Sequence, residues 1–244
     1  FAYFSLVVFV SQVVCILMPA LLMTLFFTSR PARTLALSRW PGMATCTVAV
    51  VLAVVMHPVG QQLSIWISQL YPVSDDVVAS SRMMVETLES APYPWLPFVL
   101  IGLLPALCEE LAFRGFILSG FRRLGHKWWA ICLSAVFFGL AHTVLQQSLA
   151  AIVLGVVLGF IAIQSGSLIP CILFHLVYNS LMLLSARWQE LAAEAASRVP
   201  AVQLFVQETA PGQWMYSPLT VTGCAILAGG LLWWLHRLPY QLTH

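Results

Sequence analysis

The stretch FAYFSLVVFVSQVVCILMPALLMTLFF, residues 1–27, decides the fold class because it contains no charged side chain over its whole length. An α-helix needs roughly 17 to 25 apolar residues to cross the hydrocarbon core of a bilayer. The stretch is too long for the apolar region of a signal peptide and has no basic start. It also lacks the alternation of a barrel strand, and in hydrocarbon every backbone amide must be paired, so we interpret it as a membrane-spanning helix.

The rest of the chain has the same apolar character. Of its 244 residues, 60% are hydrophobic and only 8% are charged, whereas an ordinary soluble domain carries roughly 25% charged residues. A water-soluble fold could not cover its surface with so few charges. The net charge is only +2, and the basic residues sit in short clusters between apolar runs, so we do not expect a nucleic-acid surface.

The six cysteines all lie within apolar segments, and no two of them form a Cys-x-x-Cys pair. A disulfide framework or a thiolate zinc site would need a different spacing. We therefore interpret the cysteines as packing residues.

Apolar runs recur along the chain and predict an all-α fold, a polytopic transmembrane helical bundle of about seven spans. The predicted spans are residues 1–27, 42–57, 95–118, 128–143, 147–163, 167–185 and 217–235. The more polar stretches 58–94 and 186–215 are predicted to be surface or interfacial helices. We treat the chain as one membrane domain in three parts: amino-terminal spans with an interfacial segment at 1–94, a motif-bearing core at 95–185, and an interfacial segment with the last span at 186–244.

Basic residues collect in alternate loops of this arrangement and predict its orientation. By the positive-inside rule these loops are cytoplasmic, so the amino end lies outside and the carboxyl end inside. The residues concerned are Arg30, Arg33, Arg39, Arg122, Arg123, Lys127 and Arg237. Within one span, Gly155 and Gly159 form a small-xxx-small step that favours close helix packing.

A second stretch, LLPALCEELAFRG at residues 103–115, carries three charges into a predicted span. Each charge at a helix centre costs roughly 2.5 to 3.5 kcal/mol on insertion scales, so these side chains must face a protein interior or a water-filled cavity. Glu110 and Arg114 are four residues apart and can pair on one helix face, while Glu109 points about 100° away. The spacing thus predicts a Glu110–Arg114 pair that leaves Glu109 free. The structural alternative is an ion pair at the interfacial end of a helix.

Two other predicted spans each carry a histidine with a partner four residues away. Phe138 precedes His142 in FFGLAH, and His175 precedes Asn179 in HLVYN. A lone helical histidine is more often structural, but these two accompany three charges on another helix. A carboxylate beside an imidazole can deprotonate water, and a second imidazole with an amide can donate to an oxyanion. Together the groups are suited to amide hydrolysis.

Two routes to that hydrolysis differ in the need for a cofactor. The chain has no Gly-x-Ser-x-Gly segment, and its cysteines lack a nucleophile signature, which favours attack by water over covalent catalysis. The alternative is a divalent metal such as zinc bound by Glu109, His142 and His175, although the His-Glu-x-x-His arrangement is absent.

Three segments carry a family resemblance: EELAFR at residues 109–114, FGLAH at 138–142 and HLVYN at 175–179. In this order they resemble the Glu-Glu-x-x-x-Arg, Phe-x-x-x-His and His-x-x-x-Asn motifs of the CPBP intramembrane metalloprotease family. That family includes CAAX-prenyl endoproteases and abortive-infection and bacteriocin-processing proteins. The resemblance covers roughly residues 95–185.

The resemblance implies an intramembrane endopeptidase that uses glutamate- and histidine-activated water. Its substrate would be a membrane-embedded or lipid-anchored polypeptide. The implied catalytic residues are Glu109, Glu110, Arg114, His142, His175 and Asn179.

The resemblance also implies separate roles for these residues. Glu109 would activate water with help from His142. His175 and Asn179 would stabilise the oxyanion, and the other two charged residues of the first motif would orient it.

Two functions of other classes remain open from the residues. A transporter component or proton-coupled carrier also buries Glu, His and Arg in the membrane, and a non-enzymatic immunity or scaffold protein could keep the motifs without proteolysis. The expected partners are membrane lipid, a membrane-embedded or lipidated peptide, and a fused or associated transporter module. The expected location is a bacterial inner membrane, as a multi-pass protein.

Overall fold

A computed structural model, which describes residues 1–210 and 213–238, shows a helical bundle with one short β-hairpin. Residues 211–212 and 239–244 of the predicted carboxyl-terminal part lie outside the described residues. The helices are α1 (Ala2–Phe27), α2 (Pro31–Thr34), α3 (Met43–Leu70), α4 (Asp75–Glu89), α5 (98–122), α6 (Lys127–Leu140), α7 (Leu145–Ser165), α8 (Ile169–Leu183), α9 (Ser185–Arg198) and α10 (Pro218–Arg237). A 3₁₀ turn (Pro200–Leu204) precedes strands β1 (Val206–Ala210) and β2 (Gln213–Tyr216), which pair antiparallel.

The membrane character of the fold is confirmed, but the number of spans is not. In the described chain four helices, α1, α3, α7 and α10, are long and apolar enough to cross a membrane. Helices α6 and α8 are apolar but have only 14 and 15 residues. Helix α5 overlaps the predicted span 95–118 and carries three charged side chains within that span. The prediction of about seven spans is therefore not confirmed.

Helix α3 is longer than its predicted span, which ended at residue 57. The helix passes through Pro58 and ends only at Leu70. A proline removes one helical hydrogen bond, but packing continues beyond it, because Gly60 lies against the Tyr178 hydroxyl and Ile67 is buried. The surface helix predicted within 58–94 is thus restricted to α4, whose side chains are mostly exposed.

The stretch 186–215 also differs from the prediction, because only its first half is helical. After α9 the chain forms the hairpin β1–β2, whose second strand, QWMY, is rich in residues that favour strands. The Tyr216 hydroxyl lies 3.2 Å from His57 Nδ1 of α3 and fastens the hairpin to the bundle. Burial, with a smaller contribution from Cys224, raises the pKa of Tyr216 to about 12, so the hydroxyl stays protonated.

The main core lies between α3, α7 and α8, where Leu52, Ile161 and Phe174 are almost fully buried. Helices α6 and α7 approach closely through the two glycines of the small-xxx-small step. A Cβ on Gly155 would lie 2.9 Å from Ala135 Cα, and one on Gly159 would lie 3.2 Å from Ile131 Cγ2. The predicted close packing of α6 and α7 at these glycines is confirmed.

The substitution Gly155→Ala should lower the free energy of unfolding by about 1–3 kcal/mol, the usual cost of overpacking, because its methyl group would overlap the Ala135 backbone. The matched control is Gly223→Ala on α10, where nothing lies within 4 Å of the added Cβ. There the substitution should raise the free energy of unfolding by about 0.5–1 kcal/mol, since alanine is the better helix former. Unfolding in detergent, followed by circular dichroism, measures both. Equal stability of the two variants would contradict the tight α6–α7 contact.

Candidate active site

The first motif lies inside the helical bundle. Glu109, Glu110 and Arg114 of α5 are 8%, 0% and 1% exposed. Contact with hydrocarbon would be costly for all three charges. They accordingly face the protein interior, as their depth in a predicted span required.

The predicted pair between Glu110 and Arg114 is confirmed. Arg114 Nη1 donates to Glu110 Oε1 at 3.0 Å, and both side chains have no exposed surface. Desolvation of two such charges can exceed their attraction, so further partners are required. Arg114 Nη2 donates to the Gly155 carbonyl at 3.4 Å, and its Cζ lies 4.1 Å from the centre of the Phe138 ring, a cation–π contact. The guanidinium is therefore held by α5, α6 and α7 together.

His175 on α8 joins the two glutamates. Its Nδ1 lies 2.8 Å from Glu110 Oε1, and its Nε2 lies 3.8 Å from Glu109 Oε2. An ionised carboxylate only accepts hydrogen bonds, so Nδ1 is protonated and donates its hydrogen bond to Glu110. Glu110 thus sets the orientation of the imidazole and turns Nε2 toward Glu109.

Phe138 of α6 packs between the three motifs. Its ring centre is 5.1 Å from that of His142, 6.0 Å from that of His175 and 5.3 Å from that of Phe113, each in an edge-to-face arrangement. With the guanidinium of Arg114 on its face, the phenylalanine brings the second motif against the other two by packing alone.

The remaining residues of the predicted site make hydrogen bonds to backbone carbonyls. His142 follows α6, and its Nδ1 donates to the Phe138 carbonyl at 2.9 Å, which leaves Nε2 with its lone pair. Asn179 Nδ2 donates to the Ile101 carbonyl at 3.1 Å and ties α8 to α5. Within the described residues, neither side chain hydrogen-bonds to a glutamate.

Gln12 on α1 is the site residue that the sequence did not reveal. Its Nε2 donates to Glu109 Oε1 at 2.8 Å. Glu109 is left out of the Glu110–Arg114 pair, as predicted, but it has a partner that was not predicted, because a donor arrives from a helix 97 positions earlier in the chain. The available signal was an amide in an otherwise apolar span, since a buried polar group is costly unless it is hydrogen-bonded.

The helices widen where these residues lie. Val10–Leu17 of α1, and Phe98–Leu103 and Glu110–Ile117 of α5, are π-helical. Such turns carry i→i+5 hydrogen bonds and are frequent at functional sites. The backbone irregularities therefore coincide with the polar cluster.

The side chains as placed do not form a three-ligand metal site. Among residues 1–210 and 213–238, no three His, Cys, Asp or Glu side chains are grouped to hold one ion. Of the zinc ligands considered from the sequence, Glu109 and His175 approach each other, but His142 is turned to the Phe138 carbonyl.

The arrangement supplies the parts of a hydrolytic site. Glu109 is a buried carboxylate with one oxygen held by Gln12 and the other facing the imidazole of His175. A carboxylate so placed can act as a general base, and an imidazole or amide can donate to a developing oxyanion.

Comparison with known proteins agrees with this chemistry. Residues 91–181 match the family model described as "Type II CAAX prenyl endopeptidase Rce1-like", and this segment contains all three motifs. No curated protein and no solved structure matches the chain. The apolar helices and the matched family together make it an integral membrane protein. Residues 91–181 of this chain are therefore similar to the Rce1-like type II CAAX prenyl endopeptidases.

Proposed function

We propose that the protein is an intramembrane endopeptidase in which Glu109 activates a water molecule for hydrolysis of a peptide bond. The observation that carries this proposal is the two-sided contact of His175, with Nδ1 on Glu110 at 2.8 Å and Nε2 at 3.8 Å from Glu109 Oε2. A buried base thus lies beside a held imidazole, in a chain similar to a family that hydrolyses peptide bonds.

The reaction follows from these positions. Glu109 takes a proton from water, and the water oxygen attacks the carbonyl carbon of the scissile bond. The oxyanion that forms accepts a hydrogen bond from His175 Nε2–H, for which the imidazole must carry a proton on both ring nitrogens. When the C–N bond breaks, the proton held by Glu109 passes to the departing amine, so the carboxylate is regenerated.

His142 and Asn179 contribute from the edges of the site. Because His142 Nδ1 donates to a carbonyl, its Nε2 can accept a hydrogen bond from the hydroxyl of the tetrahedral intermediate, after the attacking water has given its first proton to Glu109. Asn179 has a second amide N–H beyond the one given to Ile101, and this group can donate to the oxyanion. Arg114 holds Glu110 in place and does not itself contact the substrate.

The substrate that suits this site is a membrane-embedded or lipid-anchored polypeptide. Helices α1 and α10 bury little of their length, only 6% and 11% of their most apolar windows, and the apolar side chains that they expose belong in lipid. The family description names CAAX prenyl endopeptidases, which supports a lipidated peptide as the first substrate to test. We propose a bacterial inner membrane as the location.

Replacement of the base tests this mechanism directly. Glu109→Gln keeps the size and an acceptor for Gln12 but removes the basic oxygen, so kcat/KM should fall by about 10²- to 10⁴-fold. The measurement is cleavage of fluorogenic lipidated and transmembrane peptides by the purified protein. Glu86→Gln, on the exposed face of α4, is the matched control and should cleave like the natural chain.

The same assay separates the alternatives. Cleavage that survives a chelator supports the metal-free mechanism, whereas loss restored by zinc moves the site to a metal. Unchanged cleavage by Glu109→Gln would reject the glutamate base. Biological activity kept by a cleavage-deficient variant would favour the immunity or scaffold role, and ion flux in vesicles would favour the carrier.

The contribution of the Arg114–Glu110 pair to stability can be measured separately. Arg114→Met removes one partner of a fully buried pair and leaves Glu110 with His175 as its remaining donor among the described residues, so the free energy of unfolding should fall by about 3–5 kcal/mol. The control is Arg198→Met, which breaks a pair of the same i,i+4 spacing with Glu194 whose side chains are 75% and 55% exposed. That change should stay within about 0.5 kcal/mol. Similar losses in both variants, measured by unfolding in detergent, would contradict the bracing role.

A further inference from the structure

The polar side chains of α1 separate into two kinds. Ser5, Ser11 and Thr24 donate to carbonyls of their own helix, at Phe1, Val8 and Ala20. Such bonds satisfy a hydroxyl within one apolar helix and require no neighbour. Gln12 instead reaches across to α5 and donates to Glu109 at 2.8 Å.

The contact with Glu109 fixes which way the Gln12 amide points. An ionised carboxylate has no proton to donate, so the amide must present Nε2 to it, and the carbonyl oxygen Oε1 takes the other position. This Oε1 is buried and has no hydrogen-bond partner among the described residues. An unpartnered buried acceptor carries a free-energy cost, and here it lies on the side chain that holds the proposed base.

The packing of α1 keeps this amide at the site. Ile16 and Ala20, one and two turns beyond Gln12, pack against Phe113 and its neighbours on α5. Gln12 therefore lies on the face of α1 that packs against α5, although most of α1 is exposed. Because this helix precedes the segment matched by the family model, none of the three motifs includes it.

We propose that Gln12 is a positioning residue that orients both Glu109 and the attacking water. Its Nε2–H holds one oxygen of the Glu109 carboxylate, and its Oε1 accepts a hydrogen bond from the water. The water then gives one proton to Glu109 and points the other at Gln12, so its lone pair faces the carbonyl carbon. Gln12 neither gains nor loses a proton. The inference rests on the proposed function of Glu109.

The test is the substitution Gln12→Met, which keeps the length and helix preference of the side chain without its amide. In the fluorogenic peptide assay kcat should fall roughly 10- to 100-fold, as expected when a reacting group is misplaced, while KM changes less than about 2-fold, because the interaction acts on the transition state. Gln12→Asn, with an amide one methylene shorter, should lie between Gln12→Met and the natural chain. Ser11→Ala, whose hydroxyl bonds only within α1, is the matched control and should retain both constants.

Three outcomes of this assay have separate meanings when Glu109→Gln is measured beside it. An inactive Glu109→Gln with wild-type kcat in Gln12→Met overturns the role of Gln12 and leaves the proposed function standing. A fully active Glu109→Gln removes the proposed function itself. A rise in KM with unchanged kcat would make Gln12 a substrate contact instead and would also overturn the positioning role.

The contact can be tested without any substrate. Thermal unfolding midpoints of Gln12→Met, Glu109→Met and the double variant form a cycle, and groups in contact give non-additive changes. We expect the double variant to lose less than the sum of the single losses. Additive changes in the unfolding midpoint would contradict the Gln12–Glu109 contact on which the inference rests.

Discussion

Burial of the Glu110 carboxylate is the constraint on which the rest of the site depends. A charge with no exposed surface has to be matched by donors, and Glu110 Oε1 receives them from Arg114 and His175. Arg114 then needs partners of its own, which are the Gly155 carbonyl and the Phe138 ring. Helices α5, α6, α7 and α8 are thereby brought to one point, and the close approach of α6 and α7 at Gly155 belongs to the same requirement. Breaking this arrangement at any member would leave a charge without compensation.

Local spacing explains what the sequence predicted of the site. Residues four apart on a helix share a face, so the Glu110–Arg114 pair could be read directly from EELAFR. The same rule placed Phe138 beside His142, whose rings are in contact. It could not show that the Gln12 amide reaches Glu109, because that contact joins helices far apart in the chain. Nor could it show that His142 and Asn179 bond to backbone carbonyls, which depends on how each helix is rotated about its axis.

The fold was predicted in class and less well in detail, for a related reason. Hydropathy measures how favourably a segment partitions into lipid, but the length of a helix also depends on its packing against neighbouring helices. Pro58 and the polar residues after it predicted the end of a span, yet burial of Gly60 and Ile67 continues the helix to Leu70. The hairpin β1–β2 is likewise stabilised by contacts with α9 and with His57. These partners lie outside the hairpin segment, so the composition of that segment could not predict the hairpin.

The length of α3 has a further consequence for the protein in its bilayer. A helix of 28 residues measures about 42 Å at about 1.5 Å per residue, whereas the hydrocarbon core is roughly 30 Å thick. The excess length is accommodated when the helix tilts or when its more polar carboxyl-terminal end extends among the lipid headgroups. Since Gly60 of α3 packs directly on Tyr178 of α8, any tilt of α3 acts on the helix that carries His175. A change in bilayer thickness that tilts α3 would therefore be transmitted to α8 through this contact.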